Sequence, residues 1–244
     1  MMSVFKITPV VLTDSTRQFE IPKTILSDYK NYLHTDVPNV VFDFRLLRSW
    51  YDQFTDKEPV MLRAEHFPIN WKSKVGNSDL NKNFFADYDI PIQKGDMAIR
   101  EDGLIVMLTW SIQHYINAQT TQAIECNHRI TVKRDVDAEA DERGMKISEA
   151  HEEIIVDDLP CVMSEYAGRP DYAIAQNAPG VHADMLTVVN IQWNEKTKDV
   201  RINDKFEWCH YTYRVVNLSY AEVDINQTHG VITLTAKRVA GEDI

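Results

Sequence analysis

No stretch of the chain reaches the eighteen or more consecutive apolar residues that a membrane-crossing helix needs. Cysteine is scarce: three in 244 residues, an odd count without a CxxC pair. That excludes a disulfide-stapled scaffold and fits synthesis in a reducing compartment. Positive charge is also short, with 26 Lys and Arg against 37 Asp and Glu and a net charge of −11. A module that grips DNA or RNA by its phosphates needs the opposite sign. The opening "MMSVFKITPVVLTDSTRQ" lacks the basic-then-apolar order and small-residue cleavage site of a secretory signal. The N-x-[ST] matches at Asn217 and Asn226 are accordingly read as chance. GxSxG, HExxH, Walker A and GxGxxG are all missing, so no familiar catalytic motif announces an enzyme, and neither a cofactor nor a metal is expected.

What is present is strand pattern. In "GLIVMLTWSIQ" one face carries Leu104, Val106, Leu108, Trp110 and Ile112; the other begins apolar at Ile105 and Met107, then turns to Thr109, Ser111 and Gln113. Such a strand passes from a setting buried on both faces to a half-buried one. "QAIECNHRITVKR" sets Ile124, Cys126, His128, Ile130 and Val132 against polar alternates, and "HYTYRVVNLSYAEV" and "GVITLTAKRV" repeat the theme with β-branched and aromatic residues. Gly103 and Gly230 precede such runs and mark turns. Helical spacing is confined to "PKTILSDYKNYLHT", where Ile25, Tyr29 and Leu33 recur every four residues. "INWKSKVGNSDLNKNFFADYD" and "SEYAGRPDYAIAQNAPGVHADM" read as long loops, of the kind that serve function or interfaces.

The expected fold is therefore mainly β: two small antiparallel β-barrel or sandwich units with long loops and one short N-terminal helix. Residues 1–35 form an N-terminal arm carrying the helix, 36–134 a first β-domain, 135–157 an acidic linker or arm, and 158–244 a second β-domain. Between Asp135 and Asp158, ten acidic residues stand against Arg143 and Lys146, as in a solvated linker. The two units overlay in sequence. Asp96 falls over Asp204, Ile105 over Tyr213 and Met107 over Val215, while the closing strands place Arg134 over Arg238. Either the chain contains a duplicated unit or two hairpins resemble each other by their shared period.

Candidate chemistry weighs lightly. His114, Cys126, His128, Cys161, Cys209 and His210 are zinc-competent types, but their spacing does not repeat as structural zinc sites require. Trp50, Tyr51 and Phe54, with Tyr211, Tyr213 and Tyr220, could form a carbohydrate- or peptide-binding platform or simply fill cores. "YAGRPDY" is the segment best suited to contact another subunit, with Tyr166, Arg169, Asp171 and Tyr172 as anchors.

The closing segment, "INDKFEWCHYTYRVVNLSYAEVDINQTHGVITLTAKRVAG", resembles that of head–tail connector proteins of tailed bacteriophages and of prophages in Gram-positive bacteria. In those proteins an Asp-x-Phe opening leads to a Tyr-x-Val strand, an acidic loop, a Gly-led strand and a Lys-Arg finish. The matching residues are Asp204, Phe206, Tyr213, Val215, Gly230, Lys237 and Arg238. "YAGRPDY" and "TQAIECNHRITVKR" are similar to phage neck-protein sequence, whereas residues 1–50 are unmatched.

The resemblance implies a non-enzymatic virion protein, assembled in the bacterial host cytoplasm into a six- or twelve-fold ring of copies of itself at the neck. It would act as a stopper or head-completion ring between the portal or adaptor and the tail-terminator or tail-tube proteins, without contact with a membrane. Double-stranded DNA would pass through its lumen. An acidic lining lets DNA slide where a basic one would hold it, which makes Asp137, Glu139, Asp141, Glu142, Glu152 and Glu153 the lumen-facing candidates. A tail or baseplate ring at another level of the virion is the nearest alternative, and a carbohydrate- or peptide-binding β-module the alternative of another class.

Overall fold

The computed structural model describes residues 31–33, 40–55, 58–68, 81–114, 118–137, 149–166 and 186–243. Seven strands come first: β1 (Val41–Leu47), β2 (Val60–Pro68), β3 (Asn81–Ala86), β4 (Met97–Arg100), β5 (Ile105–Leu108), β6 (Gln113–His114) and β7 (Gln119–Glu125). All pairings are antiparallel. The order β3-β2-β1-β4-β5-β7 closes on itself through β3–β7, and β6 continues the lane of β5 along β7. Six more strands follow: β8 (His128–Val136), β9 (His151–Tyr166), β10 (Leu186–Gln192), β11 (Lys205–Trp208), β12 (Tyr211–Val223) and β13 (Gly230–Asp243). They form a second closed barrel in the order β10-β9-β8-β11-β12-β13. The expected mainly β architecture of two antiparallel units is the fold observed. Residues 31–33 are helical, with Leu33 buried; Ile25 and Tyr29 lie outside the described residues.

The two barrels share one topology, strand for strand, and nearly one register. Leu46 faces Val60 as Val132 faces Val156; Leu47 faces Met97 as Lys133 faces Lys205; Ala86 faces Gln119 as Ile191 faces Ile232. Asp96 over Asp204 is thus a structural equivalence, since each immediately precedes the fourth strand of its barrel. The overlay of Arg134 on Arg238 is not. Arg134 lies in β8, the first strand of the second barrel and the counterpart of β1, whereas β13 corresponds to β7. A strand ending in Lys-Arg does not name its neighbours; only the hydrogen-bonded pairing does.

Three further expectations change. The boundary at residue 134 cuts β8, whose partners β9 and β11 both belong to the second barrel. The supposed linker 135–157 begins and ends in paired strand, with Val136 opposite His151 and Asp135 opposite Glu152. Its described acids, Asp135, Asp137, Glu149, Glu152, Glu153 and Asp157, face water while the strand ladder satisfies the backbone, so charge density masked the strand. In the expected loop "INWKSKVGNSDLNKNFFADYD", β3 provides the strand that closes the first barrel, with Phe84 and Ala86 fully buried among Asn and Lys neighbours.

Side chains alternate in and out of each barrel, but the outward face is not always wet. Phe44, Leu46, Val106 and Leu108 fill the first barrel, while the outward Leu47, Met97 and Met107 are equally buried because they join the apolar cluster of the second barrel. This explains why Ile105 and Met107 read as apolar on both faces. A 3-10 helix, Trp50–Phe54, inserts Trp50 into the same junction. Gln192 ties the junction together: its Oε1 accepts the Trp50 N–H (2.7 Å) and its Nε2 donates to the carbonyls of Gly95 (2.8 Å) and Arg48 (3.1 Å). The Gly95 backbone lies directly on that of Gly230, leaving no room for a side chain.

Candidate functional site

The most elaborate polar construction in the molecule occurs twice. Before the fourth strand of each barrel a turn, Gln93–Asp96 or Arg201–Asp204, ends on an aspartate that is almost fully buried (1% and 2% exposed). The carboxylate accepts the backbone N–H three residues earlier, Gln93 or Arg201, at 2.7 Å in both copies. The third residue of each turn has positive φ, +89° at Gly95 and +77° at Asn203, a conformation that Gly and Asn tolerate best. In each copy an arginine from the barrel's first strand lane closes the latch. Arg134 donates Nε and Nη2 to Asp204 at 2.7 and 2.9 Å and reaches the Asp199 carbonyl at 2.6 Å. Arg48 donates Nη1 to Asp96 and Nη2 to the Pro91 carbonyl. The sequence showed the matched Asp96 and Asp204 but carried no hint of their arginine partners.

Burial pushes the Asp96 carboxyl up to about 7, against the pull of the Arg48 guanidinium and the Gln93 N–H. The folded protein therefore keeps a proton on Asp96 through a range where the unfolded chain, with an ordinary value near 3.8, has released it. The folded state binds more protons there, so stability falls as pH rises from about 4 to about 7. His66, which burial pushes down to about 4, works in the opposite direction in wild type and variant alike. Calorimetry is therefore expected to show the Asp96 contribution as a difference: Asp96→Asn loses less Tm, or gains more, between pH 5 and pH 8 than wild type does. An unchanged slope in that variant would refute the assignment.

Two of the three thiols, Cys126 and Cys161, pack into or against the apolar cluster of the second barrel, and Cys209 is exposed. Burial pushes Cys126 up to about 12 and raises Cys161 further, with Cys126 as a neighbour. Desolvation lowers His128, whose ring meets Trp208 edge-on at 5.5 Å. Cys209 and His210 do not lie on a strand, as assumed from "EWCHY". They are the two central residues of the β11–β12 turn, both with positive φ (+49° and +67°), a geometry that matches the twist of a hairpin. Among the described residues no three His, Cys, Asp or Glu side chains converge as a metal site. The aromatic candidates part company: Trp50 and Tyr213 are core, Phe54 is exposed, and Tyr220 meets Trp193 edge-on at 5.9 Å.

Of the acidic candidates, Asp137 follows β8 and Glu152 and Glu153 lie exposed at the start of β9. Lys133 sits between Glu152 (3.5 Å) and Glu207 (3.4 Å), and Lys205 holds Asp135 at 2.7 Å, so the base of the hairpin is laced with ion pairs. Glu139, Asp141 and Glu142 lie outside the described residues. So do Arg169, Asp171 and Tyr172; Tyr166 ends β9, its backbone paired with Leu186.

One feature had no sequence signal. A cleft of about 550 Å³ opens on the first barrel, lined by Asp43, Met61, Leu62, Arg63, Asp87, Asp89 and Ile90. Its residues come from β1, β2 and the loop that follows β3, and only the pairing of β1, β2 and β3 assembles them.

No protein-family model, curated protein or solved structure matches this chain.

Proposed function

We propose that the chain is a structural subunit of a ring at the head–tail junction of a tailed bacteriophage, joining the portal side to the tail and passing DNA through its lumen. The observation that carries this reading is that the connector-like segment supplies three adjacent strands, β11, β12 and β13, of a closed barrel in which its pattern residues have defined places. Asp204 is the buried latch, Phe206 stacks on Tyr213 at 5.5 Å, Val215 is core, and Gly230 is pressed against Gly95. Lys237 pairs in the ladder between Leu186 and Arg214, and Arg238 lies over the Tyr211 ring. Rigid closed barrels suit a ring subunit, because assembly then spends little binding free energy on ordering the module itself. The exposed acids of the β8–β9 hairpin suit a surface past which DNA moves without sticking.

Immunogold labelling of purified particles tests the reading. Label at the neck is the expected result. Label at the distal tail transfers the subunit to a tail or baseplate ring, and particles without label overturn the virion role.

A further inference from the structure

Among the described residues the first barrel presents a second, open version of the seat by which the second barrel receives it, and we propose that this seat binds the second barrel of another copy of the chain. The inference deepens the ring reading and rests on it for the ring itself; the duplicated registers argue for the contact.

Within one chain the seat on the second barrel is built at the β8–β9–β10 end. Val156 is fully buried there, Arg129 lies over the Trp50 ring at 5.1 Å, the Tyr51 hydroxyl donates to the Asp157 carbonyl at 3.0 Å, and Gln192 binds Trp50 and Gly95. Matching registers place Val60 where Val156 stands, Met61 where Asp157 stands, Asp43 where Arg129 stands and Asp87 where Gln192 stands. In the first barrel Asp43, Met61 and Asp87 line the open cleft, and the apolar positions face water: Met61 is 57% exposed and its chain neighbour Val60 42%.

The element that docks is duplicated too. The turn Gln93–Asp96 enters the junction through Gly95, and its counterpart Arg201–Asp204 offers Arg201, Ile202 and Asn203 to solvent, with Ile202 55% exposed. Charge supports the match. The open cleft carries Asp43, Asp87 and Asp89 against Arg63, and the counterpart turn carries Arg201 beside its exposed isoleucine. A cation and an apolar tip therefore face acids around an apolar floor, the arrangement of a small specific contact. Each copy would hold one seat and one docking turn at different places, so the contact is heterologous and propagates, closing into a ring where the rotation allows.

Sedimentation velocity on purified full-length protein, over a wide concentration range, tests this with two surface variants, Met61→Arg in the seat and Ile202→Asp in the turn. Wild type is expected to form species larger than a dimer as concentration rises, and each variant alone to stay monomeric, its association weakened more than about tenfold by a charge placed in an apolar contact. An equal mixture of the two variants is expected to form a dimer and nothing larger, since one intact seat meets one intact turn. That mixture also shows both variants are folded. A wild type that remains monomeric or stops at a dimer, a variant that assembles like wild type, or a mixture that stays monomeric each overturns the proposal. Particle labelling is independent of this result, so the contact and the virion location can fail separately.

Discussion

Arg134→Ala is expected to destabilise the protein by about 3–5 kcal/mol, the cost of leaving a buried charge without its partner. Asp204 is 2% exposed and would lose both charge-assisted hydrogen bonds from the guanidinium, keeping only the Arg201 N–H. The Asp199 carbonyl would lose its donor as well. For a chain of this length the loss corresponds to a Tm drop of about 10 °C. Asp204→Asn in the Arg134→Ala background is expected to recover part of it, because the amide oxygen still accepts from Arg201 and no buried charge remains. A double variant less stable than Arg134→Ala would sink the explanation. The parallel change Arg48→Ala should cost less, since Asp96, already pushed up to about 7, can hold a proton in place of its arginine. Thermal denaturation of wild type and these three variants at pH 7 measures the difference between the latches.

Gly95→Ala is expected to separate the barrels thermodynamically. A methyl group at position 95 would overlap the Gly230 carbonyl, and neither backbone can move without dragging its barrel along. The φ of +89° adds a further ~1–2 kcal/mol for any residue with a Cβ. With the turn lifted, Gln192 loses the Gly95 carbonyl, and the outward faces of Met97 and Met107 are no longer sealed. Wild type should unfold in one calorimetric transition, because its apolar cluster runs through both barrels, and the variant in two. Hydrogen exchange at the Trp50 amide, bound to Gln192 at 2.7 Å, should accelerate markedly in the variant. A single transition with unchanged Trp50 protection would show that the contact between the glycines does not hold the junction. Asn203→Ala, the same change at the exposed turn, should show only the mild backbone penalty, because its neighbours Arg201 and Ile202 face solvent.

How much of this was legible in the residues depended on whether the pattern was local. Ile105 and Met107, apolar on the face where Thr109 and Ser111 follow, announced a strand buried on both sides; the structure supplies the second barrel as the reason. Asp96 over Asp204 was visible because the latch needs an aspartate at one fixed place before the fourth strand. Its arginine partners were not, since Arg48 and Arg134 reach their aspartates from 48 and 70 residues away. The strand "NKNFFA" was hidden by its Asn and Lys composition; Phe84 and Ala86 face the interior while the alternates face out. Acid content concealed the paired ends of the β8–β9 hairpin in the same way. The cleft around Met61 and Asp87 follows from pairing alone, as does its likeness to the seat under Trp50. A duplicated fold advertises itself in sequence where both copies need the same residue. It falls silent where one copy is covered and the other open, as at Gln192 and Asp87.

The glycine-to-glycine contact also sets a timetable for birth on the ribosome. Gly95 emerges early, but Gly230, and β13 that starts there, emerge well over a hundred residues later. At roughly 5–20 residues per second, the outward patch of Leu47, Met97 and Met107 waits on the order of ten seconds for its cover. During that interval the nascent first barrel carries an uncovered apolar face besides its cleft. Its yield on expression should therefore track chaperone supply more steeply than the stability of the finished molecule would suggest.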